Sequence, residues 1–270
     1  MTRIDLAGPR RPDPATPLSF VPRVVLLTAM HGRHEIAKRM LSHSLAVGQQ
    51  LAPMCSFRPM VVMSPGDVSA MGPWLDKRGI SWMETANRPL SNKWQRGVTA
   101  LSEAPHDIDL LMLAGSDDFL SYAYARWAIR LAASGQSSAC GPDWVYLYNA
   151  ETGQMARYTG PSVLQNGFPA PVGAGRVFAQ SLLVRTGWKL WPREANATLD
   201  GMCTQWLANL GYTFNTLCLD ARPGAGIVDV KDGENIHGWE RFQNALIYPP
   251  ADADALLRQW GLFDAVKGDR

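Results

Sequence analysis

No stretch of this 270-residue sequence approaches the ~18 consecutive apolar positions that a membrane-spanning helix needs. Charge is sparse. Asp, Glu, Lys and Arg make up 19% of the chain and the net charge is +2, too mild to argue for nucleic-acid binding through bulk electrostatics. Cysteine is scarce as well. Cys55, Cys140, Cys203 and Cys218 share no C-x-x-C spacing and form no dense framework, as expected for a reducing compartment. The amino-terminal MTRIDLAGPRRPDPATP has no apolar leader core, so a cytoplasmic protein is expected. Its Pro and Arg content predicts a flexible arm over residues 1–20.

What is present is a globular composition, 46% hydrophobic with ten Trp, long enough to bury a substantial core. From Val24 onward short apolar runs alternate with helical periodicity. Strands are predicted at Val24–Met30, Arg58–Ser64, Ile80–Thr85 and Asp109–Gly115. Between and after them lie helices at His34–Leu51, Val68–Lys77, Asn92–Ala104 (with Ser91 as its cap) and Tyr122–Ala133. This β-α-β-α order predicts a mostly parallel sheet flanked by helices. The second half is mixed. A hairpin is expected over Trp144–Gly160 with its turn at Glu151-Thr152-Gly153, followed by a Pro/Gly-rich loop from Gly160 to Gly175. A helix at Ala197–Gly211, strands within Tyr212–Ala221 and Gly226–Asp232, and a terminal helix at Asp252–Gly261 complete the reading.

The fourth strand ends abruptly in Gly115-Ser116-Asp117-Asp118. Adjacent carboxylates there are costly to desolvate without a positive partner. Ligands of open α/β sheets bind beyond the carboxyl ends of the strands, so the pair could hold a hard divalent cation that bridges to a diphosphate. A plainer reading makes Asp118 the cap of a helix starting near Leu120, with Asp117 merely solvated. The residues alone leave both readings open.

LLMLAGSDDFLS, preceded by NRPLSNKWQRGVTAL and by the opening VVLLTAMHGRHEIAKRML, resembles the GT-A glycosyltransferases of the family 2 type over about Val21 to Gly238. The resemblance implies a GT-A fold over residues 21–270, with a nucleotide-sugar half at 21–120 and an acceptor half at 121–270. It places Thr28, His31, Arg33, Asn92, Lys93 and Asp117 among the groups that cradle the nucleotide-sugar donor, a UDP-sugar above all. Asp117 and Asp118 would bind Mn²⁺ or Mg²⁺. LDGMCTQWL stands where inverting members carry an acidic residue that activates the acceptor, so Asp200 is the implied base, although Leu199 departs from the Glu-Asp form. KDGENIHGWERF supplies a late His237 that would complete the metal site, and imidazole favours Mn²⁺. Arg176, in a glycine-rich segment, could face the leaving diphosphate.

Each assignment has a plainer alternative: Asp200 as a first-turn helix charge, His237 as a surface residue, Arg176 in a turn into a strand. Two other functions compete. A nucleotidyltransferase would share the metal and nucleotide, but usually has a Gly-rich phosphate loop after the first strand, where this chain has TAMHGRHE with one glycine. A non-catalytic sugar- or nucleic-acid-binding module is the other. The acceptor is expected to be a saccharide hydroxyl or, given the basic arm with Arg3, Arg10 and Arg11, a hydroxymethylated base in phage DNA.

Overall fold

The run Val24-Val25-Leu26-Leu27 is apolar on both faces of its strand, because both faces are covered. In the computed structural model, which describes residues 18, 20–159, 170–233, 239–242 and 245–268, this run lies in β1 (Arg23–Met30). Alternation sends Val24, Leu26 and Met30 into one hydrophobic cluster and Val25 and Leu27 into another. The first cluster receives Ile36, Met40 and Leu41 of α1 (His34–Leu51). After β2 (Ser56–Met63), α2 (Val68–Asp76) and β3 (Ser81–Glu84), α3 (Leu90–Ser102) delivers Val98 and Leu101 to the second cluster. β4 (Leu110–Leu113) splits its residues between the two clusters in the same way.

The remaining elements are β5 (Asp118–Leu120), α4 (Tyr122–Ala133), β6 (Ala139–Pro142), β7 (Val145–Asn149) and β8 (Met155–Tyr158). Then come β9 (Val177–Ala179), α5 (Gln180–Arg185), α6 (Leu199–Asn209), β10 (Asn215–Leu217) and β11 (Ile227–Lys231). β12 (Leu246–Tyr248), α7 (Pro250–Gln259) and α8 (Phe263–Lys267) close the chain. The large sheet has the order β10-β6-β9-β4-β1-β2-β3, with only β9 running against its neighbours. A second sheet has the order β12-β8-β7-β11-β5. The result is an α/β fold with a mostly parallel central sheet, as the alternation predicts. Among the described residues no helix is long and apolar enough to cross a membrane.

Several boundaries differ from the sequence reading. α3 starts at Leu90, so Ser91 lies inside it, and the Ser91 hydroxyl accepts from Ala195 N–H (2.8 Å) instead of capping the helix. α4 is capped by Ser121, which accepts from Tyr124 N–H at 3.1 Å, so Asp118 is no helix cap. It is the first residue of a strand. The strand expected within Tyr212–Ala221 shrinks to β10. Residues 1–17 and 19 of the arm and 160–169 of the Gly160–Gly175 loop lie outside the described residues. The four cysteines are free.

Helix α3 sits unusually close to the sheet because Gly97 has no side chain. A Cβ there would lie 2.7 Å from Val62 Cγ2 and 2.8 Å from Leu27 Cδ1. Alanine is intrinsically the better helix former by about 1 kcal/mol, but the forced overlap outweighs that gain. Gly97→Ala is expected to destabilise the fold by about 1–3 kcal/mol in urea unfolding; an unchanged or higher midpoint would refute the close packing.

Candidate functional site

Three aspartates converge where β4 ends. The chain turns through Ala114–Asp117 and re-enters as β5, with Gly115 N–H donating to Asp118 Oδ2 at 2.5 Å. Gly115 leaves room for this fold-back, since a Cβ there would lie 2.8 Å from Asp117 Oδ1 and 3.0 Å from Asp118 Oδ2. β5 pairs antiparallel with β11, which sets Asp118 directly opposite Asp229, so both side chains share a face of the ladder. Carboxylate oxygens of Asp117, Asp118 and Asp229 all lie within 4.8 Å of one another.

Two cations hold this cluster. Arg33 donates to Asp117 Oδ2 (2.7 Å), Val230 O (2.9 Å) and Asp232, the last also an ion pair at 3.0 Å. Its reach depends on a left-handed backbone (φ 50°, ψ 42°) at the start of α1, a conformation costing about 1–3 kcal/mol for a non-glycine residue. Lys231 Nζ lies 2.6 Å from Asp229 Oδ2. Among the described residues, four carboxylates (Asp117, Asp118, Asp229, Asp232) thus face two cations. Burial, and then the charge of Asp117, push the Asp118 carboxyl up to about 7, despite the Gly115 N–H and Lys231. Asp229 is raised for the same leading reasons. Asp229 Oδ1 is buried with no hydrogen-bond partner. An oxygen-only donor set with surplus negative charge and an orphaned carboxylate oxygen fits a hard divalent cation.

A second group lines the carboxyl ends of β1 and β2. Lys93 is buried, with its Nζ on Met30 O, on Ser64 Oγ (2.8 Å) and on Asn87 Oδ1 (3.2 Å). Burial pulls its pKa down to about 8 against the opposing charge of Asp67. Asp67 accepts from Gly32 N–H (2.9 Å), and its Oδ1 lies 2.9 Å from His34 Nε2. Burial alone would raise this carboxyl; the His34 and Gly32 contacts hold it below the ordinary range. His31 Nδ1 lies 3.0 Å from Ser64 Oγ, and its ring is the open member of the group, 64% exposed. Thr28 is fully buried in β1 with an unpartnered hydroxyl, behind the surface of this group. Asn92 turns away to donate to Glu194 Oε1 at 2.9 Å.

Asp200 lies in the first turn of α6 and is close enough to Asp118 to raise its proton affinity. Its Oδ2 accepts from Gly173 N–H at 3.0 Å. Arg176, expected from the sequence to face a diphosphate, is instead 1% exposed and turned inward onto carbonyl oxygens, because each of its nitrogens finds an acceptor in the interior. His237 lies outside the described residues. The structure therefore brings Arg33, Asp117 and Asp118 together, sets Asp200 nearby, and groups His31 with Lys93. Asp229 and Asp67 escaped the sequence reading. Asp229 had a signal, a lone carboxylate between Val228 and Val230 in an expected strand; Asp67 looked like an ordinary turn residue after Pro65-Gly66.

No protein-family model and no curated protein matches this chain. Many solved structures are similar in shape, among them these two. One is 4-diphosphocytidyl-2C-methyl-D-erythritol synthase from Anaerococcus prevotii, at TM-score 0.47 and 13% identity, covering 73% of this chain and 87% of that one. The other is residues 1–349 of S. aureus TarS, at TM-score 0.51 and 13% identity, covering 90% of this chain and 71% of that one. The fold is GT-A-like, a mostly parallel sheet flanked by helices. In this GT-A arrangement the acidic turn lies at the carboxyl edge of β4, next to the strand β1 whose end presents Arg33.

The raised Asp118 carboxyl sets a pH dependence. Because its folded value lies above the ordinary aspartate value near ~4, the folded state binds the proton more tightly than the unfolded state does. The metal-free protein should therefore lose stability as pH rises from about 4 to about 7. Asp118→Asn should flatten that loss in melting curves recorded in EDTA. A melting-temperature gap between wild type and Asp118→Asn that does not change over the same interval would contradict the assignment.

Proposed function

We propose that this protein is a metal-dependent glycosyltransferase, moving a sugar from a nucleotide-diphosphate donor to an acceptor hydroxyl. The observation that carries the reading is the three-carboxylate cluster with its orphaned Asp229 oxygen, set at the carboxyl end of β4 in a GT-A-like fold. Asp117, Asp118 and Asp229 would hold Mn²⁺ or Mg²⁺. A bound cation would supply charge neutralisation for the departing diphosphate.

The chain's own residues do the rest. Arg33 fixes the Asp117 carboxylate by taking one of its oxygens. Lys231 does the same for Asp229. His31, the exposed member of the second group, faces solvent at the strand ends where the nucleotide would lie, with Lys93 and Asp67 behind it fixing Ser64 and the Gly32 backbone. Asp200 accepts the proton of the acceptor hydroxyl as its oxygen attacks the sugar C1. The bond from C1 to the diphosphate oxygen breaks, and the nucleoside diphosphate leaves with the electron pair. UDP-sugars are the first donor class to test.

The test is a donor screen with Mn²⁺, read by thermal shift and by nucleoside diphosphate release. A nucleotide-sugar should raise the melting temperature only with metal present, and the reading fails if none does. Asp118→Asn should lose the metal-dependent shift. Asp200→Asn should keep that shift while turnover with acceptor falls about 10²–10⁴-fold.

A further inference from the structure

Arg176 is the largest fully buried side chain described, and among the described residues no ion pair to a carboxylate accompanies it. A buried guanidinium without a counter-charge is costly, and an apolar side chain of similar volume would fill the space more cheaply. Its acceptors account for its presence. Nε donates to Val172 O (3.2 Å) and Nη2 to Pro171 O (2.5 Å), both in the turn before β9. Nη1 donates to Asp200 O (3.1 Å) and Nη2 to Thr204 Oγ1 (3.1 Å), both in the opening turns of α6. Thr204 in turn donates to Asp200 O at 2.8 Å, and the ring of Phe214 lies 4.7 Å from the guanidinium carbon. The guanidinium thus stitches the Pro171–Gly173 turn onto the start of α6.

Directly across that seam, Gly173 N–H donates to Asp200 Oδ2 at 3.0 Å. A Cβ on Gly173 would lie 2.1 Å from Asp200 Oδ1, so a larger residue there would push the carboxylate aside. An aspartate in a first helical turn ordinarily serves the free amides of its own helix. Here α6 has no side-chain cap, and the Asp200 carboxylate is drawn instead onto a separate segment of chain.

We propose that Arg176 is a positioning residue: it locks the Pro171–Gly173 turn to α6 so that the Gly173 N–H fixes the orientation of the Asp200 carboxylate. Its bearing on catalysis rests on the reading of Asp200 as the base. The geometric part stands apart from that reading and is tested without substrate.

The probe is the Gly173 amide in ¹⁵N-glycine-labelled protein, identified by its loss in Gly173→Ala. Asp200→Ala defines the position of this signal with no side-chain acceptor opposite it. Arg176→Lys keeps the charge but places all its donors on one nitrogen, and Arg176→Met keeps much of the volume. Both are expected to move the Gly173 signal to the Asp200→Ala position while the other glycine signals stay in place. A Gly173 signal that holds its wild-type position in both variants overturns the proposal.

If neither variant folds, Thr204→Val decides. It removes one acceptor at the helix start, so a Gly173 signal displaced part-way towards the Asp200→Ala position supports the clamp, and an unmoved one overturns it. With a donor and acceptor that turn over, Arg176→Lys should lower kcat about 100-fold with donor KM and the Mn²⁺-dependent nucleotide shift unchanged. If Asp200→Asn leaves kcat intact, Asp200 is not the base, and the amide signal alone still judges Arg176.

Discussion

The repulsion between Asp118 and Asp229 is the constraint around which this corner of the molecule is arranged. They are placed opposite one another by the antiparallel pairing of β5 with β11, and like charges directly opposite in a ladder destabilise it. Three features answer that cost. Gly115 lacks a side chain, so a backbone N–H reaches Asp118. Lys231 folds back onto Asp229 from two positions along the same strand. Arg33 takes a left-handed backbone and reaches Asp117, Asp232 and Val230 at once. A fold would not retain so unfavourable an arrangement for packing alone; an apolar pair at 118 and 229 would hold the two strands together better.

The acidic cluster and the Lys93–Asp67 group differ in how much of their bonding capacity is spent. Lys93 has three acceptors within the protein, and Asp67 accepts from Gly32 N–H with His34 beside it. These groups are framework that shapes a wall. The acidic cluster instead keeps an oxygen of Asp229 with no partner. The contrast between a satisfied wall and an unsatisfied centre separates a ligand-bearing point from its surroundings more clearly than charge alone.

The first half of the fold was legible because its signals are local. Val24–Leu27 and Leu110–Leu113 are continuous apolar runs, and α1 carries its buried residues at helical spacing. The strands that went unseen, β5, β6 and β12, are three or four residues long; they exist through pairing with distant partners and leave no periodicity to read. The same difference divides the site. Asp117 and Asp118 stood out by adjacency. Asp229 could be joined to them only through the register of β5 on β11. Arg176 was visible as a charge near glycines, but a sequence does not tell whether an arginine points outward or is enclosed among carbonyl groups. The cap assigned to Asp118 failed for a similar reason: Ser121 was the better-placed oxygen once the chain entered β5.

Arg33 joins partners that lie 84 and 199 positions further along the chain. During synthesis the β1–β4 unit can pair while β11 is still unmade, leaving Asp117 and Asp118 without the strand that faces them. The acidic centre is therefore a late-assembling structure. It acquires its third carboxylate and its clamp only when the carboxyl-terminal part of the chain docks, so a partly made molecule cannot present a complete cation site.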